Sequence, residues 1–166
     1  MYTFGQGNWG VLGHGNEKNV KFRNPKLVEG LANHKVVDVV LGEYHTMALT
    51  DDGSVWTWGY GGKAGFFNWM YAQEVGALGH GDIKPTFVPK RVKFFKENNL
   101  KVEKIAAGNY HNAVICDNGN LYNWGVGLYG VLGNSDNAYY LTPTVNEDLI
   151  YQRDDIEKGN SDFTFK

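Results

Sequence analysis

Tyr2-Thr3-Phe4-Gly5-Gln6-Gly7-Asn8-Trp9-Gly10-Val11-Leu12-Gly13 opens this 166-residue chain, and the phrase returns as Tyr122-Asn123-Trp124-Gly125-Val126-Gly127-Leu128-Tyr129-Gly130-Val131-Leu132-Gly133. A middle copy starts Trp56-Thr57-Trp58-Gly59-Tyr60-Gly61 and resumes at Gly76-Ala77-Leu78-Gly79. A second phrase accompanies the first: Gly42-Glu43-Tyr44-His45-Thr46-Met47-Ala48-Leu49, then Gly108-Asn109-Tyr110-His111-Asn112-Ala113-Val114-Ile115. Gly5 lies 54 positions before Gly59, and Gly76 lies 54 before Gly130. Gly59 and Gly76 are 17 apart where the other copies need 5, so the middle copy carries a 12-residue insertion, residues 63–74. With that removed, Gly42 and Gly108 also fall into step. Self-similarity at such a period marks a solenoid or a propeller.

Each repeat reads as strands and tight turns. Val36–Leu41 and Thr46–Thr50 are runs of strand length rich in β-branched residues. Asp52-Gly53 separates the second run from Val55–Trp58, and Asn118-Gly119 separates Ala113–Cys116 from Leu121–Trp124. Both dipeptides supply the positive φ angles of hairpin turns. Pro25–Val28, Val88–Val92 and Pro143–Val145 suit an outer strand, where proline is tolerated. About four antiparallel strands per repeat, with almost no helical periodicity, predict an all-β chain of propeller blades. The expected units are repeats over 1–146 and a polar tail over 147–166. Fewer than three blades and an incomplete ring are expected from these 166 residues. Residues 36–58 and 102–124 are expected to form equivalent three-stranded units.

These segments resemble the RCC1 (regulator of chromosome condensation) repeat family. Its repeats join Gly-x-x-His-x-x-Ala-Leu to Asp-Gly, an aromatic-x-Trp-Gly strand and a Gly-x-Leu-Gly-His-Gly turn. Gly42–Leu49, Asp52-Gly53, Trp56–Gly59 and Gly76–Gly81 match in order. The third copy departs with Val114-Ile115 and with Asn134 at the turn histidine. The resemblance implies a propeller that closes at seven blades in typical members. It also implies a candidate activity of the founding members, guanine-nucleotide exchange on a small GTPase. Plant ultraviolet photoreceptors of the family carry Gly-Trp-Arg-His-Thr where this chain has Gly42-Glu43-Tyr44-His45-Thr46, so light sensing is not expected.

Composition narrows the classes. A net charge of -2 without a basic stripe gives no electrostatic support for direct nucleic-acid binding. No apolar run approaches the length of a membrane span, and no signal peptide is expected. One cysteine excludes an internal disulfide framework, and no Asn-x-Ser/Thr sequon occurs. The expected setting is intracellular, with cytoplasmic, cytoskeletal and organellar compartments all open. The tail reads either as a solvated segment or as a docking segment with a partial apolar face.

Several chemical look-alikes are expected to be architectural. Gly5–Gly10 and Gly125–Gly130 fit G-x-G-x-x-G, but no helix follows to face a pyrophosphate. His45 and His111 occupy equivalent positions, as do His14 and His80, which suits hydrogen bonding to the blades. No zincin spacing or Cys/His cluster suggests a metal, and no serine or cysteine lies in a nucleophile motif. Catalytic, cofactor and metal residues are therefore all expected to be none. Gly42, His45, Gly108, His111, Trp58 and Trp124 are assigned as structural repeat residues. Cys116 is assigned to the strand interior.

The insertion holds Phe66, Phe67, Trp69, Met70 and Tyr71 within six positions. Aromatic and methionine side chains are enriched at interface hot spots. Two readings stand: contact with a partner protein, or folding back over its own blade. The expected function is a non-catalytic interaction or scaffold subunit, with other subunits as partners, including another propeller-forming chain. The alternative is exchange regulation of a small GTPase.

Overall fold

The computed structural model describes residues 1–21, 23–62, 76–134 and 137–147. Two short strands come first, β1 (Tyr2–Thr3) and β2 (Lys26–Leu27), paired antiparallel. Four strands follow: β3 (Val36–Leu41), β4 (His45–Thr50), β5 (Val55–Gly59) and β6 (Thr86–Arg91). They lie side by side in chain order, every pair antiparallel. A helix, α1 (Lys93–Glu97), leads into a second such sheet, β7 (Val102–Ala107), β8 (His111–Cys116), β9 (Leu121–Gly125) and β10 (Tyr140–Val145). The described residues thus make two four-stranded blades and a two-stranded unit, with no closed ring.

The hairpins form where Asp-Gly and Asn-Gly require them. Gly53 has φ +78° and Gly119 has φ +77°. Backbone bonds Thr50 N to Ser54 O (3.0 Å) and Cys116 N to Asn120 O (3.1 Å) close the two turns alike. The Asp52 carboxylate accepts from the Ser54 amide, and the Asn118 carbonyl oxygen accepts from the Asn120 amide. The registers agree too: His45 pairs with Gly59, and His111 with Gly125. Even the irregularity repeats, between Val36 and Asp38 in β3 and between Val102 and Lys104 in β7. Residues 36–58 and 102–124 are therefore equivalent units.

The core lies between layers. Met47, Leu49, Val55, Val92, Phe95, Val102, Val114, Cys116, Tyr122 and Trp124 fill the space between the two blades. Val28, Leu31, Ala48 and Trp58 fill the space between the first blade and the two-stranded unit. Strand β4 is buried along its whole length because it has a neighbour on each face, Ala48 toward one and Met47 and Leu49 toward the other.

Helix α1 was not legible as periodicity, because five residues are too few to show a repeat. Its Phe95 is 2% exposed and packs edge-on to Tyr122. The outer strand expected over Val88–Val92 is β6, which begins at Thr86 and ends at Arg91, and Val92 occupies the N-cap position of the helix.

Candidate interaction surface

The turn Gly-x-Leu-Gly works as a wedge between blades. In the middle copy, the Leu78 carbonyl accepts from the Thr57 hydroxyl of its own blade at 2.6 Å. The Ala77 carbonyl accepts from the next blade, from Asn112 Nδ2 at 2.7 Å and from Trp124 Nε1 at 3.1 Å. The first copy does the same. Leu12 O accepts from Thr3 at 2.7 Å, and Val11 O accepts from Thr46 Oγ1 at 2.9 Å and Trp58 Nε1 at 2.8 Å. Bonding both carbonyls removes the penalty of burying them.

The glycine that ends this turn is required twice over. Gly13 and Gly79 have φ of +78° and +73°, and a Cβ there would stand 2.9 Å and 2.8 Å from the indole nitrogens of Trp58 and Trp124. Left-handed backbone and close approach of a ring both select glycine.

Histidine adds a second link. His45 is 1% exposed, and its Nε2 lies 2.8 Å from Asn112 Oδ1 in the next blade. Since Asn112 spends its amide hydrogen on Ala77 O, its oxygen accepts and His45 Nε2–H donates. His45 Nδ1 is left buried without a partner, and burial pushes the His45 pKa down. A Cβ on Gly42 would lie 2.1 Å from His45 Cε1, and one on Gly108 would lie 2.3 Å from His111 Cε1. This contact explains why glycine precedes each histidine by three positions. His14 and His80 serve the wedge: Thr3 and Thr57 donate to the carbonyls, so their oxygens accept from His14 at 2.9 Å and His80 at 3.1 Å. Burial, then the Lys90 charge, pushes His80 down to about 4. In the third copy Asn123 Nδ2 bonds Leu132 O directly, and Asn134 replaces the histidine with its Oδ1 unpartnered.

At its two ends the described array lacks a neighbour. On the β8 side, His111 and Ala113 are half-buried and Ile115 is 37% exposed, where the equivalent His45, Met47 and Leu49 are buried. His111 is half-buried where His45 is buried because no further described blade covers it. Tyr129 is 87% and Val131 48% exposed, and no described residue donates to the Val131 carbonyl. At the other end, Tyr2 is 64% and Phe4 55% exposed, at the positions where Trp56 is half-buried and Trp58 fully buried.

The residues singled out from sequence divide accordingly. Gly42, His45, Gly108, Trp58 and Trp124 lie at blade junctions, and His111 lies at an open end. Phe66, Phe67, Trp69, Met70 and Tyr71 lie outside the described residues, as does the tail from 148 onward. Gly5–Gly10 and Gly125–Gly130 lead into three-residue 3-10 turns, Asn8–Gly10 and Leu128–Gly130. Among the described residues no three His, Cys, Asp or Glu side chains converge as a metal site, and no helix is long and apolar enough to cross a membrane. Burial raises Cys116 to about 12, far from a reactive thiolate. Sequence reading missed Thr46 and Asn112. The signal was a small hydrogen-bonding residue directly after the histidine in both copies.

Comparison with known proteins follows the repeats. The regulator of chromosome condensation (RCC1) repeat matches residues 1–49 and 72–115, and a second form of it matches 36–63 and 102–131. Ultraviolet-B receptor UVR8 of Arabidopsis thaliana is 32% identical over 143 residues, which is 86% of this chain and 29% of the receptor. A Protein RCC2 homolog of Danio rerio is 32% identical over 141 residues, 84% of this chain and 25% of that protein. The structure of Prp20p from Saccharomyces cerevisiae, described with its binding properties to Gsp1p and histones, superposes with a TM-score of 0.61 at 22% identity, covering 87% of this chain and 33% of Prp20p. The chain spans about a third or less of each of these relatives.

Proposed function

The chain belongs to the RCC1 repeat family, and we propose that it is a non-catalytic interaction or scaffold module contributing its blades to a larger propeller or multi-subunit assembly in an intracellular setting. The observation that carries this reading is the inter-blade link. It is made in full once, from His45 through Asn112 to Ala77, and its next donor and acceptor, His111 and the Val131 carbonyl, stand ready at the open end. Ile115, Val131, Tyr129, Tyr2 and Phe4 would bury apolar area against a neighbour. Covering one such side chain is worth roughly 1.5–3 kcal/mol, and exposed faces of this kind invite association. The insertion with Phe66, Phe67, Trp69, Met70 and Tyr71 is proposed as a second partner contact, on composition alone. The alternative, exchange regulation of a small GTPase, draws on the founding members, and the Prp20p fold is its nearest support.

Sedimentation of the 166-residue chain, paired with release of labelled GDP from a small GTPase, separates the readings. Self-association that Ile115→Lys and Phe4→Lys weaken, with no acceleration of release, is the expected result. A stable monomer with both faces bare would overturn the module reading, and accelerated release would replace it with the alternative.

A further inference from the structure

A row of aromatic rings crosses the blade boundaries on the side where the Gly-x-x-His loops lie. Trp9 meets Tyr44 edge-on with centroids 5.7 Å apart, and Tyr44 meets Tyr110 of the next blade at 5.5 Å. Tyr60 closes on Trp9 at 5.0 Å. Tyr44 and Tyr110 are half-buried, and neither belongs to the core clusters between blades.

Carboxylates border the row. Glu43 is exposed and directly precedes Tyr44; both tyrosine hydroxyls are held above their usual pKa, Tyr44 chiefly by Glu43 and Tyr110 chiefly by burial. Exposed Glu17 accepts from the Trp9 amide at 3.0 Å. Among the described residues the ion pairs are Lys35–Asp51 and Arg91–Asp52, so no cation answers Glu43 or Glu17.

The backbone carries a further mark. Trp9 has φ +64°, a left-handed conformation that bulky residues rarely adopt, and Tyr129 at the equivalent position has φ +60°. Two turns therefore hold an aromatic ring where glycine would be unstrained, a cost that packing or binding must offset.

We propose that Tyr44, Tyr110 and Glu43, walled by Trp9, form a docking surface for an arginine-bearing segment of a partner protein. Aromatic faces attract cations, and a guanidinium is the cation whose plane stacks on a ring while its fork meets a carboxylate. Phosphate-rich partners do not fit, because the bordering charges are negative. The proposal rests on the interaction-module reading and gives that module a partner chemistry.

The test is fluorescence anisotropy of a labelled peptide of alternating arginine and glycine, titrated with the full chain beside a matched citrulline peptide. Citrulline keeps the shape and removes the charge. The arginine peptide is expected to bind at least about fivefold more tightly, and Tyr110→Ala to weaken it about fivefold while Tyr110→Phe retains affinity. Glu43→Gln is expected to weaken binding and flatten its salt dependence. Equal binding of the citrulline peptide overturns the proposal, as does unchanged affinity in both Tyr110→Ala and Glu43→Gln. Should Tyr110→Ala fail to fold, Glu43→Gln and Tyr110→Phe still decide the matter. Sedimentation reads blade association and not peptide binding, so the two proposals fail independently.

Discussion

Asn112 is the residue whose loss the structure prices most clearly. It is fully buried, its Oδ1 accepts from His45 Nε2 at 2.8 Å, and its Nδ2 donates to Ala77 O at 2.7 Å. Asn112→Ala leaves the Ala77 carbonyl with the Trp124 indole as its remaining donor, so that acceptor stays satisfied. His45 fares worse. Its Nδ1 already lacks a partner, and Nε2–H would become a buried orphan, for which about 1–3 kcal/mol is the usual cost. Loss of the second bond adds about 1 kcal/mol. A total near 3 kcal/mol is a large share of the roughly 5–15 kcal/mol of a typical domain. The chain supplies its own control, because Thr46 occupies the same position one blade earlier and bonds Val11 O. Asn112→Thr can donate to Ala77 O and accept from His45, so it should recover most of the loss. Urea unfolding followed by tryptophan fluorescence measures both variants, since Trp58 and Trp124 are fully buried. An Asn112→Ala protein within about 0.5 kcal/mol of the parent would refute the view that this link holds the blades together.

Three further outcomes are expected. Gly79→Ala should destabilise more than Gly130→Ala: both have left-handed φ, but a Cβ at 79 meets the Trp124 indole at 2.8 Å whereas one at 130 meets nothing within 4 Å; paired urea melts give the difference, which should exceed about 1 kcal/mol. Stability should fall as pH drops from about 6.5 toward 4, because His80 titrates at about 4 in the fold and near 6.5 unfolded, so the unfolded chain binds the extra proton in that window; His45 is shifted the same way, and urea midpoints at pH 8, 6 and 5 test the slope. Deleting residues 63–74 should leave the circular dichroism of the strands unchanged while reducing assembly in sedimentation, since the first and third copies turn without that segment.

By itself the sequence determined the repeat, its hairpins and its blade content. Asp52-Gly53 and Asn118-Gly119 are local instructions, because a hairpin's positive φ is a property of two adjacent residues. The 54-residue spacing likewise needs no coordinates. The glycine before each histidine was visible as a pattern, but its reason, a ring lying on its α-carbon, was not. Only the tertiary structure decided the partners across blades. Trp58 reaches Val11 and Trp124 reaches Ala77, each 47 residues away along the chain, and His45 reaches Asn112 across 67. Bonds at such separations depend on how one sheet lies against the next, which periodicity within a strand does not encode. The same reason kept α1 hidden, since its helix is held by Phe95 packing on Tyr122 and Trp124 and not by its own five residues. The aromatic row was likewise invisible until folding set Tyr44 against Tyr110, because rings that stand 66 positions apart meet only when two blades share a boundary.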